Sequence, residues 1–210
     1  MKLSTRTLTV ATAVLAFAAS AAAVTARTQA TEVPSEVQAG SYKLDPDHGK
    51  ITWSVDHLGF STYVGQFVNV QAELTLDAAN PANSRLTATI PLTDVDSNSD
   101  GLDQHLQTPD FFDTANHPTA TFVSRSVTVD ADDANEASVV GDLTLRGVTK
   151  PVTMDVEFNK AGPGMGGTYR AGFDGEATIK RSEFGITFGQ QMGLGDEVKL
   201  HIEGEFVRQP

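Results

Sequence analysis

Val68-Asn69-Val70-Gln71-Ala72-Glu73-Leu74-Thr75-Leu76-Asp77 is the stretch on which the fold turns. Its apolar residues take every second position and its polar residues the positions between. Successive side chains of a β-strand point to opposite faces, so this spacing sets Val68, Val70, Ala72, Leu74 and Leu76 on one face and wets the other. A helix would scatter the same residues around its axis.

Outward from this stretch the period-two rhythm continues in both directions. Upstream, Ile51, Trp53 and Val55 oppose Thr52, Ser54 and Asp56. Downstream come Leu86 to Leu92, Val139 to Leu145, Val148 to Phe158, Tyr169 to Phe173, and Val198 to Phe206. Turn-forming residues separate the runs at Asn80-Pro81, Arg146-Gly147, Gly162 to Gly167 and Gly193 to Gly195. One region departs from the rhythm: Leu102, Leu106, Phe111 and Phe112 stand at helix-like spacing between Asp100 and Asp113, with Ser99 or Asp100 placed to cap the start. The pattern predicts an all-β fold, a closed antiparallel eight-stranded barrel with one short helical insertion, because closure removes exposed strand edges. A two-sheet sandwich is the competing architecture. An eight-stranded barrel is either filled by its own side chains or holds one small ligand, and alternation alone does not choose between them.

The remainder of the chain bounds the function. Lys2 and Arg6 precede an uncharged, Ala-rich stretch, so residues 1–26 read as a secretion signal with cleavage after Ala23 or Ala26. Residues 27–40 read as a flexible leader and 41–210 as the barrel domain. Removing residues 1–26 takes two cations and no acid, so the formal charge of −12 becomes −14. Such a surface repels nucleic acid and has no electrostatic grip on anionic headgroups. Without cysteine there is no disulfide, thiolate metal site or lipoprotein anchor.

Local motifs point to no catalytic chemistry. Gly162, Gly164 and Gly167 have dinucleotide-fingerprint spacing, but a strand-like run follows them where a helix is required. Asp96, Asn98 and Asp100 open like a calcium loop, yet Gln107 stands where the closing Glu belongs, so the run reads as a polar loop and helix cap. The five histidines are dispersed, with no pair at helical ligand spacing. No metal site, cofactor or catalytic set is therefore assigned.

Seven segments, in order and spacing, resemble YceI-like proteins. They are Leu44 to His48, His57 to Ser61, Asp103 to Leu106, Asp110 to Asp113, His117-Pro118 with Thr121-Phe122, Gly141 to Thr149, and Arg181 to Ile186. The resemblance spans about residues 41 to 207. It implies a lipocalin-like barrel, usually exported, that binds polyisoprenoid, quinone-like or other long-chain amphiphiles in a central apolar tunnel. It implies pocket-lining roles for Trp53, Phe60, Phe111, Phe112, Phe122 and Phe184, each of which would also serve as barrel packing. His57, Asp103 and His105 are candidates to orient a polar head near the entrance, with a structural network tying helix to barrel as the alternative. Family members often carry an arginine before the Asp-x-His-Leu element, where this chain has Leu102.

The resulting expectation is a non-enzymatic protein that binds, sequesters or carries a lipid-like ligand. It would be periplasmic or secreted, without stable membrane insertion, and with homodimerisation left open. A hydrolase or isomerase acting at the barrel mouth, and a stress-related protein with a filled barrel, are the alternatives.

Overall fold

The alternating runs become strands in the computed structural model, which describes residues 29–210. The expected signal at residues 1–26 lies outside the described residues. In chain order the strands are β1 (Gly40–His57), β2 (Ser61–Phe67), β3 (Gln71–Leu76), β4 (Arg85–Pro91) and β5 (Val95–Asp96). After helix α1 (Asp100–Leu106) come β6 (Thr119–Val129), β7 (Glu136–Leu145), β8 (Val148–Pro163), β9 (Tyr169–Lys180) and β10 (Leu194–Arg208).

Of the ten strands among the described residues, eight close a ring in the order β1-β3-β4-β6-β7-β8-β9-β10, with β10 pairing back onto β1, and the pairs are antiparallel. The barrel and the one short α-helix among the described residues are those the sequence pattern predicts; the sandwich is not formed. Strands β2 and β5 extend one wall: β2 pairs the second half of β1, from Ile51 to His57, and β5 pairs β2.

Strand β1 serves two neighbours on one side because it is interrupted. Its first residues, Gly40 to Lys43, pair with β3, and the register against β10 shifts between Leu44 and Gly49. Asp45-Pro46-Asp47 lies at that shift, where a proline removes a ladder donor and a bulge tolerates it. Past the shift the inward positions change from Tyr42 and Leu44 to Ile51, Trp53 and Val55.

The alternation reading passed over β6 for a related reason. Ala120, Phe122 and Ser124 face inward, the register against β7 slips between Ser124 and Ser126, and Val127 and Val129 then face the interior on odd positions. The bulge breaks the period, so the segment never reads as one clean strand. Two tight hairpins do follow their sequence signals. Arg146 and Gly147 both take positive φ, 51° and 73°, and Leu145 pairs directly with Val148. This two-residue type I′ geometry matches strand twist. The glycines near 164 close the β8–β9 hairpin.

Large side chains collect at two levels of the barrel. An upper cluster joins Trp53, Leu92, Leu106, Phe111, Phe184 and Ile186. A lower cluster joins Val37, Tyr42, Phe158, Ala161, Ala171 and Phe206. The segment before β1 takes part in the lower one: Thr31 bridges to Ala161, and Val37 is buried.

Candidate ligand tunnel

Between the two clusters the barrel is hollow. Leu74, Leu86, Val152, Met154, Leu200 and Ile202 point inward from four strands yet are only half-buried, because they face open space. The space forms two chambers, a lower one of about 260 Å³ and an upper one of about 140 Å³. They share Ile51, Ile90, Leu143 and Leu200 as wall residues, so they stack along one axis. The lower chamber reaches the β3–β4 and β6–β7 loops at Ala78, Pro81, Ala134 and Asn135, and Pro34 and Val37 add to that end. Walls of aliphatic and aromatic carbon exclude water cheaply and accept apolar matter without compensating hydrogen bonds.

The nine residues singled out in the sequence divide in space. Trp53, Phe111 and Phe112 line the upper chamber, and Phe122 lines the lower one. Phe122 reaches its position because Gly141, across the ladder on β7, has no side chain: a Cβ there would lie 2.3 Å from Phe122 Cζ. The other five lie outside both chamber walls. Phe184 is 1% exposed and packs in the upper cluster, closing that end. Phe60 is 87% exposed at the tip of the β1–β2 hairpin. His57 is exposed at the end of β1, with its ring 6.0 Å from that of Tyr63.

Asp103 and His105 tie α1 to its surroundings. The Asp103 carboxylate accepts from the Ser97 N–H at 2.8 Å and the Ser97 hydroxyl at 2.5 Å, joining the helix to the end of β5. His105 Nε2 is 3.1 Å from Asp110 Oδ2, and its ring meets those of Phe111 and Phe188 edge-on. Ser99 occupies the N-cap position without a side-chain capping bond. Asp96 is engaged locally, accepting the Asn98 N–H at 2.8 Å, as an ordinary polar loop does.

Two sets of polar residues escaped the sequence reading. Arg181, 5% exposed, contributes to the upper chamber wall. Its guanidinium donates to the carbonyls of Gly195, Ile186, Phe188 and Leu194 at 2.6–3.1 Å, and burial pulls it below its ordinary value. The available signal was its place at the head of the Arg181-Ser182-Glu183-Phe184 segment, directly after Lys180.

The second set lies at the β1 bulge. Asp45, His48 and Glu205 bring ligand atoms within 4.8 Å of one another. Arg170 Nη1 already donates to Asp45 Oδ2 at 2.5 Å and Glu205 Oε2 at 2.9 Å. A guanidinium thus fills the cation's place, and its hydrogen bond holds the Asp45 carboxyl below the usual carboxylate range. The set does not suit a metal.

Comparison with known proteins agrees with this fold. A family model described as YceI-like domain matches residues 42–206. The protein YceI of Escherichia coli O157:H7 is 40% identical over 176 residues, covering 81% of this chain and 88% of the relative. The UPF0312 protein PA0423 of Pseudomonas aeruginosa is 38% identical over 179 residues, covering 83% and 90%. Among solved structures, BcnA of Burkholderia cenocepacia superposes with a TM-score of 0.69 at 26% identity, covering 77% of this chain and 98% of that one. A polyisoprenoid binding domain from Saccharophagus degradans superposes with a TM-score of 0.59 at 14% identity, covering 82% and 100%, a likeness of fold alone. Among the described residues no helix is long and apolar enough to cross a membrane.

Proposed function

The chain belongs to the YceI-like domain family, and on that premise we propose that it binds, sequesters or transports an apolar long-chain amphiphile of the polyisoprenoid, quinone-like or fatty amide or acid kind. The observation that carries this reading is the hollow between the two clusters, whose walls are almost wholly hydrocarbon. Its two stacked chambers form an elongated space, which favours a chain over a compact ring system. Each methylene moved from water into such a space contributes about 0.8 kcal/mol. Ten of them contribute roughly 8 kcal/mol before ordering costs, enough for useful affinity without a charged anchor. The reading calls for no catalytic step. We place the protein in the periplasm, on the strength of the signal-like residues 1–26 and the acidic, cysteine-free composition.

The test is direct. Purified protein exposed to native membranes, extracted with organic solvent and analysed by mass spectrometry, should release a long-chain isoprenoid or acyl compound in near-stoichiometric amount. Recovery of no such compound overturns the carrier reading.

A further inference from the structure

Eight large apolar side chains are exposed among the described residues, and four of them, Leu58, Phe60, Phe188 and Met192, stand on two neighbouring loops at the upper end of the barrel. One is the β1–β2 turn, residues 58–60; the other is the segment before β10, residues 187–193. His57 pairs with Leu194, and a Cβ on Gly193 would lie 3.9 Å from Leu58 Cδ2, so the loops lie side by side. Both are held in shape. Asp56 Oδ1 accepts the Gly59 N–H at 2.9 Å, Arg181 donates to the Phe188 carbonyl at 2.8 Å, and Gln190 Nε2 donates to Asp196 Oδ1 at 2.8 Å. Phe60, 87% exposed, and Met192, 66% exposed, therefore project from fixed tips.

These loops differ from the rest of the chain in charge. Residues 57–61 and 187–193 contain no Asp, Glu, Lys or Arg, in a chain whose formal charge is −12. A cationic partner finds no acid on them and an anionic membrane finds no cation, so the surface fits an uncharged phase. Its shape points the same way. Two narrow loops fall well short of the roughly 20–30 residues a side on which a stable protein interface is built. A bilayer interface accepts convex apolar tips without matching their shape, with a strength set by the apolar area buried. The position on the barrel agrees. The Phe188 ring lies 5.3 Å from that of Phe111, and Leu194 follows Gly193; Phe111 and Leu194 both line the upper chamber. Carbon surface thus runs from the chamber wall to the exposed tips, where an apolar cargo would pass between protein and membrane, and this one argument rests on the carrier reading.

We propose that this end of the barrel docks reversibly on the surface of a neutral phospholipid bilayer, with Phe60 and Met192 entering the boundary between headgroups and acyl chains and Leu58 and Phe188 seated against it.

Flotation of delipidated protein, carrying no cargo, with phosphatidylcholine vesicles tests the docking. Wild-type protein should float with these vesicles. Vesicles of equal parts phosphatidylcholine and phosphatidylglycerol should bind more weakly at low salt, because they repel a net-negative chain. Phe60→Ser should reduce the affinity about tenfold, the scale of one aromatic side chain leaving an apolar phase, and adding Met192→Gln should abolish flotation. Both positions are exposed, so the variants should keep the wild-type Tm. Met165→Gln, 97% exposed on the β8–β9 hairpin at the opposite end, should float as wild type does. Wild-type protein that stays in the soluble fraction overturns the proposal, and so does a Phe60→Ser variant that floats undiminished or a Met165→Gln variant that loses as much. A dimer that Phe60→Ser dissolves, with no flotation of wild type, assigns the face to a second copy and overturns it too. The carrier reading stands or falls separately on the solvent extraction, since no cargo enters this experiment.

Discussion

Tyr42 shows how much one residue can report on the packing around it. Its side chain is 1% exposed in the lower cluster, its hydroxyl donates to the Gln38 carbonyl, and burial pushes its pKa up to about 12, with Tyr169 adding to the rise. A phenol whose pKa rises on folding stabilises the fold fully below its ordinary pKa, and that contribution is lost as pH climbs through about 12. Absorbance at 295 nm should therefore show one of the three tyrosines ionising only near pH 12, and Tyr42→Phe should delete that phase. The same substitution should cost about 1 kcal/mol at neutral pH by denaturant unfolding, since the Gln38 carbonyl loses its donor. None of this is visible in the alternation, where Tyr42 is simply an aromatic before the first clear strand. Trp53 and Gly65 make the same point: they pair across β1 and β2, where a Cβ on Gly65 would lie 2.2 Å from the indole Cζ2, and neither residue announces the other in sequence.

At the scale of elements, the bend in β1 decides how the barrel closes. The Asp45-Pro46-Asp47 interruption lets one strand pair β3 below and β2 above, while β10 follows it along the other side. Arg170 of β9 braces that bend by gripping Asp45 and Glu205 of β10 together. Asp45 is held below the usual carboxylate range, so the brace acts fully above about pH 4 and fades as pH falls through the lowered value. Arg170→Met should lower the Tm by about 2–4 °C at pH 7, an effect kept small by partial exposure. The variant and wild type should converge as the pH drops toward 2, measured by thermal unfolding across pH. A gap that widens in acid would refute the brace. The α1 insertion was legible from its spacing, but its anchorage through Asp103 and Ser97 was not. Alternation likewise foretold most strands and missed β6, whose bulge shifts the phase of its inward face.

For the whole molecule the decisive property is emptiness. Large side chains are concentrated above and below, in the clusters around Phe184 and Phe158, and the middle is walled by leucine, valine, methionine and alanine that do not meet across the axis. Ala88 of β4 faces this space. Ala88→Phe should fill part of the lower chamber and abolish binding of a hexadecyl chain, while changing stability by less than about 1 kcal/mol, because the added ring enters open volume. In a solid core the same change would cost about 1–3 kcal/mol by overpacking. Calorimetric titration and denaturant melts on the one variant separate the two cases.

What the sequence by itself determined was the identity of most strands, the face each turns inward, the two tight turns, the single short helix and the closed barrel they build. These follow from a two-residue repeat, which is a local property that any stretch of chain carries within itself. The tertiary structure alone decided that the interior is hollow, that four of the nine chosen residues line it, and that Arg181 joins the wall of one chamber. Those facts depend on how far apart opposite walls stand and on which level of the barrel receives the bulky side chains. Both are set by strand number, stagger and bulges acting together, and no single strand contains them.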